Sequence, residues 1–212
     1  MSNFAISIDT ETLGLDVDAP IIQIGAAMFD TTSVDYPKCV PAVLEFYVWR
    51  ESFHYVEPYA AAMNAEILYA IASVRMAKGV DVLDFSREEI KYPGIYVRYT
   101  HAISYLNEWM LQWKHCFEDD KFVFAGKNFG VFDLPKLQAL PGTLAPHRHR
   151  FIDPSNLYWT PEVDGTVLPD TKTCMKRAGM EGRVSHTALA DARDVAELIQ
   201  RWTQVGVAEN VA

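Results

Sequence analysis

Two carboxylates two residues apart, Asp9 and Glu11, stand at the end of a run in which Phe4, Ile6 and Ile8 alternate with Ala5, Ser7 and Asp9. Alternation of this kind is a strand pattern, and residues i and i+2 of a strand face the same side. The pair therefore leaves a sheet together at a strand end, as oxygen ligands that suit a hard divalent cation such as Mg²⁺. A second chemical segment is His186-Thr187-Ala188-Leu189-Ala190-Asp191. It places a histidine in a loop just before a helix and an aspartate about one turn inside it, so that the helix holds a metal ligand while the loop brings an imidazole over it. A third acid, Asp133, closes the run Asn128-Phe129-Gly130-Val131-Phe132-Asp133. Taken singly, each has an ordinary alternative. Asp-x-Glu also occurs as a solvated strand end, and Asp133 ahead of Pro135 also reads as a helix cap. His186 and Asp191 also read as the polar face of an amphipathic helix.

The three segments in combination are more specific. Asp9-Thr10-Glu11-Thr12 with Gly14 resembles the first motif of the DEDDh exonuclease superfamily, which includes oligoribonuclease, ribonuclease T and the proofreading subunits of replicative polymerases. Asn128 to Asp133 is similar to the second motif, with the Asn-to-Asp spacing of oligoribonuclease. His186-x-Ala188-x-x-Asp191, followed by Ala192 and Arg193, resembles the third, and its histidine in place of a tyrosine points to the DEDDh branch. The motifs occur in the family's order and span residues 9 to 194.

The resemblance implies an α/β, RNase H-like fold: a mixed five-stranded sheet, a three-stranded antiparallel meander followed by parallel strands, flanked by helices. It implies that Asp9, Glu11, Asp133 and Asp191 hold two divalent ions, Mg²⁺ or Mn²⁺, and that His186 is the general base. The expected reaction is 3′→5′ hydrolysis of terminal phosphodiesters of DNA or RNA, at single-stranded or short ends, releasing nucleoside 5′-monophosphates. Thr12 and Leu13 directly follow the first ligands and are candidates to contact the terminal nucleotide, although Leu13 reads equally well as a packed loop residue. Several members of the superfamily are dimers, which leaves a homodimer open. Two other readings stand beside this one: a non-catalytic module that binds nucleic-acid ends on the same fold, and a phosphoesterase acting on small molecules.

Several elements must position these residues. After the strand over 3–9, the run Ile21 to Phe29 is nearly all apolar and suits a central strand buried on both faces. Val43 to Trp49 is rich in β-branched and aromatic residues and forms a third. Pro58 to Lys78 predicts one helix or two, and Tyr92-Pro93-Gly94 a turn. Ile103, Leu106, Trp109, Met110 and Trp113 recur at helical spacing and predict a helix from His101 to Phe117. Short strands are expected at Lys121 to Ala125 and Arg150 to Asp153. Between them a helix carries Leu134 and Leu137, with Pro135 tolerated only in its first turn. Asp170 or Thr171 caps a helix ending at Gly179, and a last helix starts near Thr187. Residues 50–100 carry no motif of the superfamily.

The 212 residues are half hydrophobic, enough for one substantial core, and one exonuclease domain over 1–212 is the expectation. With 28 acidic and 19 basic residues the net charge is -9, which argues against a protein that wraps long nucleic acid through Lys and Arg. It is compatible with an enzyme that binds cations and grips a strand end. Cys39, Cys116 and Cys174 are far apart, so a disulfide framework or zinc site is not expected. Without a leader-like start or a membrane-length apolar run, a soluble, cytoplasmic protein is expected. His147-Arg148-His149-Arg150 reads foremost as a solvated loop, whereas Lys172, Lys176, Arg177 and Arg183 are better candidates for a phosphate-facing rim. Asp153, ahead of Pro154-Ser155, reads as the cap of a short helix.

Overall fold

Alternating and continuous apolar runs place three strands at the start of the chain, and the computed structural model, which describes residues 3–33, 42–88, 91–180 and 187–210, pairs them as an antiparallel meander. These are β1 (Phe4–Thr12), β2 (Ile21–Asp30) and β3 (Ala42–Trp49). The middle segment forms two short helices, α1 (Pro58–Met63) and α2 (Ala65–Ser73). It then adds two strands, β4 (Val82–Asp84) and β5 (Ile95–Arg98). Next come α3 (Ala102–Leu111), β6 (Phe124–Ala125) and α4 (Asp133–Ala139). The chain finishes with α5 (Pro154–Leu157), α6 (Pro161–Asp164), α7 (Thr171–Arg177) and the long α8 (Ala188–Asn210).

Among the described residues the sheet has six strands in the order β4-β5-β3-β2-β1-β6, with β6 parallel to β1 and β5 parallel to β3. The mixed, helix-flanked sheet matches the expected architecture, but the count of five is corrected to six. The β4–β5 hairpin extends the sheet beyond β3, and its strands of three and four residues are too short to carry a legible period. The expected strand at Arg150 to Asp153 reduces to a single parallel bridge between Ala125 and Ile152. The expected helix from His101 to Phe117 runs as an α-helix only from Ala102 to Leu111, and a short 3-10 turn follows at Lys114–Cys116.

Strand alternation divides the core. Ile6 and Ile8 point into a large apolar cluster with Ile103, Leu106 and Met110 of α3 and Leu134 and Leu137 of α4. Ala5 points the other way, to Val195, Ala196 and Ile199 of α8. Asp9 and Glu11 share the parity of Ala5 and so face α8. Pro135 falls in the first turn of α4, where its missing N–H costs nothing. Asp170 caps α7 by accepting from the Thr173 N–H at 2.8 Å, and Gly179 takes the left-handed φ of 66° just beyond it. No helix among the described residues is long and apolar enough to cross a membrane.

Candidate metal centre

The site is assembled from one strand end and one helix start. One ligand oxygen from each of Asp9, Glu11 and Asp191 lies within 4.8 Å of the others. β1 supplies the first two at i and i+2, and its register slips between Glu11 and Thr12, so the chain turns away directly after the pair. The Asn64 side chain donates to the Thr12 carbonyl at 3.1 Å and holds that turn.

Asp191 arrives because α8 begins on the sheet itself. Asp9 pairs with Gly25 of β2, and a Cβ at Gly25 would lie 2.2 Å from the Ala188 carbonyl carbon and from the Leu189 nitrogen. Only a residue without a side chain lets backbone approach backbone this closely. The first N–H groups of a helix lack partners within it. Here the Ala188 N–H donates to Gln23 Oε1 at 3.1 Å, and burial raises the Glu45 carboxyl against the smaller, lowering effect of the Leu189 N–H. Gln23, Gly25 and Glu45, from two neighbouring strands, thus form a cradle that seats the helix and its aspartate.

Asp133 stands beside this group without joining it. Its Oδ1 accepts from the Thr10 N–H at 3.1 Å and from the Thr10 hydroxyl at 2.7 Å. Burial raises its carboxyl to about 7 against the lowering effect of those bonds and of Lys136. Lys136 is itself buried and donates to the carbonyls of Gly14, Leu15 and Asp16, ordering the loop that follows β1.

The electrostatics are those of acids facing acids. Burial, then the charges of Asp133, Asp191 and Glu11, push the Asp9 carboxyl well above the usual carboxylate range. Burial, Glu11 and Asp194 bring Asp191 to about 7. Among the described residues Asp191 Oδ1 is buried with no hydrogen-bond partner. Converging carboxylate oxygens with an orphaned acceptor among them are the donor set a hard divalent cation takes, and this buried acidic cluster can bind a metal.

A cleft of about 340 Å³ opens over the cluster, lined by Asp9, Asp133, Asp191, Leu15, Lys127 and Asn128 among others. Lys127 donates to Ser155 Oγ at 2.8 Å and to the Pro169 carbonyl at 3.1 Å. Asp153 accepts from the Ser155 N–H at 2.7 Å, as expected of a cap, and from the Asn128 N–H at 2.9 Å.

Neither Thr12 nor Leu13, the residues expected to contact the terminal nucleotide, is among those lining this cleft. Leu13 is fully buried in an apolar cluster with Ile22 and Trp49, and the Thr12 hydroxyl donates to the Gly14 carbonyl at 2.8 Å. Leu15, 75% exposed, lines the cleft instead. His186 and Arg183 lie outside the described residues, as does Cys39. Arg177, expected at a phosphate-facing rim, is paired with Asp164 at 2.6 Å. In the basic run, Arg148 pairs with Asp119 at 2.9 Å. Sequence reading passed over Thr10, Gln23, Gly25, Glu45 and Lys136. Gln23 and Gly25 carried a signal, a polar residue and a glycine inside a run that is otherwise apolar from Ile21 to Phe29.

The architecture is RNase H-like, the fold of the DEDDh nucleases. It is shared with the nuclease domain of 3′hExo, a DEDDh family member bound to rAMP, at TM-score 0.63 and 14% identity, covering 96% of this chain and 93% of that one. Cell-death related nuclease 4 (CRN-4) aligns at TM-score 0.62 and 15% identity over 96% of this chain and 64% of its own. Exonuclease I of E. coli with a bound oligonucleotide aligns at TM-score 0.54 and 14% identity over 92% of this chain. The chain spans 40% of that last protein's length. No family model matches the sequence, and no curated protein matches it.

Proposed function

We propose that this chain is a metal-dependent 3′→5′ exonuclease that hydrolyses terminal phosphodiesters of single-stranded DNA or RNA and releases nucleoside 5′-monophosphates. The observation that carries the reading is the convergence of Asp9, Glu11 and Asp191 within 4.8 Å, beside Asp133, at the end of β1. A fold shared with 3′-exonucleases supports it. In this reading residues 1–212 act as one exonuclease domain in a reducing, cytoplasmic setting, with the wide spacing of Cys39, Cys116 and Cys174 in support.

Asp9, Glu11, Asp133 and Asp191 would hold two divalent ions, Mg²⁺ or Mn²⁺. Such ions, when bound, activate water and stabilise a leaving oxygen. The chain's own residues do the rest. His186, which precedes the first described residue of the α8 start, takes a proton from the attacking water at its imidazole. The water oxygen bonds to the terminal phosphorus as the bond to the 3′ oxygen of the preceding nucleotide breaks. Thr10 orients Asp133, and the Gln23–Gly25–Glu45 cradle orients Asp191. Leu15 packs against the terminal nucleotide.

The test is turnover of 5′-labelled single-stranded DNA and RNA in Mg²⁺ or Mn²⁺, with EDTA and Asp9→Ala as controls. Shortening from the 3′ end that both controls abolish is expected. Intact substrate despite confirmed metal binding would overturn the reading in favour of an end-binding module or a small-molecule phosphoesterase. His186→Ala is expected to lose turnover while keeping metal affinity; wild-type rates across a pH series would remove His186 as the base.

A further inference from the structure

A second cleft, of about 410 Å³, lies at the carboxyl ends of β3 and β5, lined by Arg50, Ser52, His54, Arg98, Tyr99 and Thr100 among others. Its two arginines are in opposite states. Arg98 stacks on Trp49 and is fully engaged, donating to the Val80 and Ala77 carbonyls and pairing with Glu51 and Asp81. Arg50 lies over the Tyr99 ring at 4.5 Å, its Nε is buried without a partner, and among the described residues no carboxylate pairs with it. A half-buried guanidinium without a counter-charge is costly, and the cost stands out in a chain of net charge -9. A planar fork of donors on a cleft wall fits a phosphate.

The cleft is placed to share a ligand with the metal centre. β1 and β3 both run antiparallel to β2, so their carboxyl ends meet at one edge of the sheet. Asp9 is level with Glu45 through Gly25, and Arg50 lies five residues further and two strands across, roughly 20 Å away. The segment from Arg50 to Glu57 leads directly from one cleft to the other. At its far end the Glu57 N–H donates to the Leu13 carbonyl at 2.8 Å, and Glu57 Oε1 accepts from the Leu15 N–H at 3.2 Å and the Tyr55 hydroxyl at 2.9 Å. Leu15 lines the metal cleft. Tyr55 and Tyr59, 41% and 77% exposed, offer rings for base stacking along this path.

We propose that the Arg50 cleft binds an internal phosphate of a single-stranded substrate, a few nucleotides on the 5′ side of the bond being cut. The site rests on the exonuclease reading and makes turnover depend on substrate length. It is tested on the full-length chain in Mg²⁺ with a dinucleotide and a decamer. Arg50→Gln is expected to raise KM for the decamer about tenfold, to leave KM for the dinucleotide and both kcat values unchanged, and to reduce the slope of log(kcat/KM) against log[salt] for the decamer by about 0.7, one phosphate contact on a single strand. Ser52→Glu, which adds a like charge to the ligand on an exposed wall of the cleft, is expected to act in the same direction and serves if Arg50→Gln does not fold. Equal effects on dinucleotide and decamer, or an unchanged salt slope in both variants, would overturn the proposal. Anisotropy of a labelled decamer separates this failure from that of the function. Arg50-dependent binding with no cleavage would sink the exonuclease and keep the cleft, whereas cleavage and binding indifferent to both variants would do the reverse.

Discussion

Asp164 and Asp191 sit on neighbouring parts of the same chain half and have opposite surroundings. Asp164 accepts from both terminal nitrogens of Arg177, at 2.6 and 2.7 Å, and from the Thr160 N–H at 2.8 Å. The Arg177 bonds first, then the Thr160 N–H, hold its carboxyl down at about 2. Asp170 and Asp84 are likewise lowered, each by the hydroxyl and N–H of a residue two or three positions on, Thr173 and Ser86. Asp191 has a buried oxygen with no donor among the described residues, and burial, then the charge of Glu11, raises its carboxyl to about 7. Donors hold Asp164, Asp170 and Asp84 down, whereas Asp191 keeps a buried oxygen to which no described residue donates. Acids left facing one another in this way can bind a cation.

The comparison breaks most sharply at the ligands. Asp9→Asn or Asp191→Asn is expected to lower turnover by about 10³-fold or more, while raising the melting temperature in EDTA, because a buried repelling charge leaves. Asp164→Asn is expected to lower it. A fall in the metal-free melting temperature on Asp191→Asn would remove the claim that the cluster is strained by its own charge.

Gly25→Ala follows in size. The added methyl meets the backbone of Ala188 and Leu189, which cannot yield without lifting α8. A loss of about 1–3 kcal/mol is expected in denaturant unfolding, with turnover down about 10²-fold from the displaced Asp191. Wild-type activity in this variant would show that the close seating of α8 is dispensable.

Divalent cations sharpen the contrast from the other side. At a concentration of about 100 times Kd, Mn²⁺ is expected to stabilise the wild type by about 2.7 kcal/mol, and to do little for Asp9→Asn. Equal stabilisation of both proteins in thermal melts would place the ion elsewhere.

The smallest effect concerns pH. A depressed pKa in the folded state contributes stability that is present above the unfolded pKa, near 4, and is lost as pH falls through the folded value of about 2. The melting temperatures of wild type and Asp164→Asn are therefore expected to converge as pH drops from about 4 to about 2. A gap that stays constant over that range would exclude the Arg177 pair as its source.

Much of this was legible in one dimension. The period of 2 in Phe4 to Asp9 named the strand, its inward face and the side from which Asp9 and Glu11 leave. The apolar spacing from Ile103 to Met110 named a helix that forms there but stops at Leu111, short of the expected Phe117, and the Asp170 and Gly179 boundaries named another. The β4 and β5 strands were not legible, because three or four residues do not establish a period and their pairing with β3 is non-local. Leu13 and Leu15 show the same limit. Both are leucines after a ligand pair, and only the turn held by Asn64, Glu57 and Lys136 buries one and exposes the other.

Local chemistry, then, was determined by the sequence alone: which residues can ligate a cation, which side of a strand they leave, and where helices start and stop, because these follow from side-chain type and short-range period. Which acids meet was decided by the tertiary structure. The close approach of α8 to Gly25, the Gln23 acceptor beneath it, the hold of Thr10 on Asp133 and the seat of Arg50 on the Tyr99 ring all join residues distant in the chain. Contacts of that kind depend on strand register and on burial, quantities that no local stretch of residues contains.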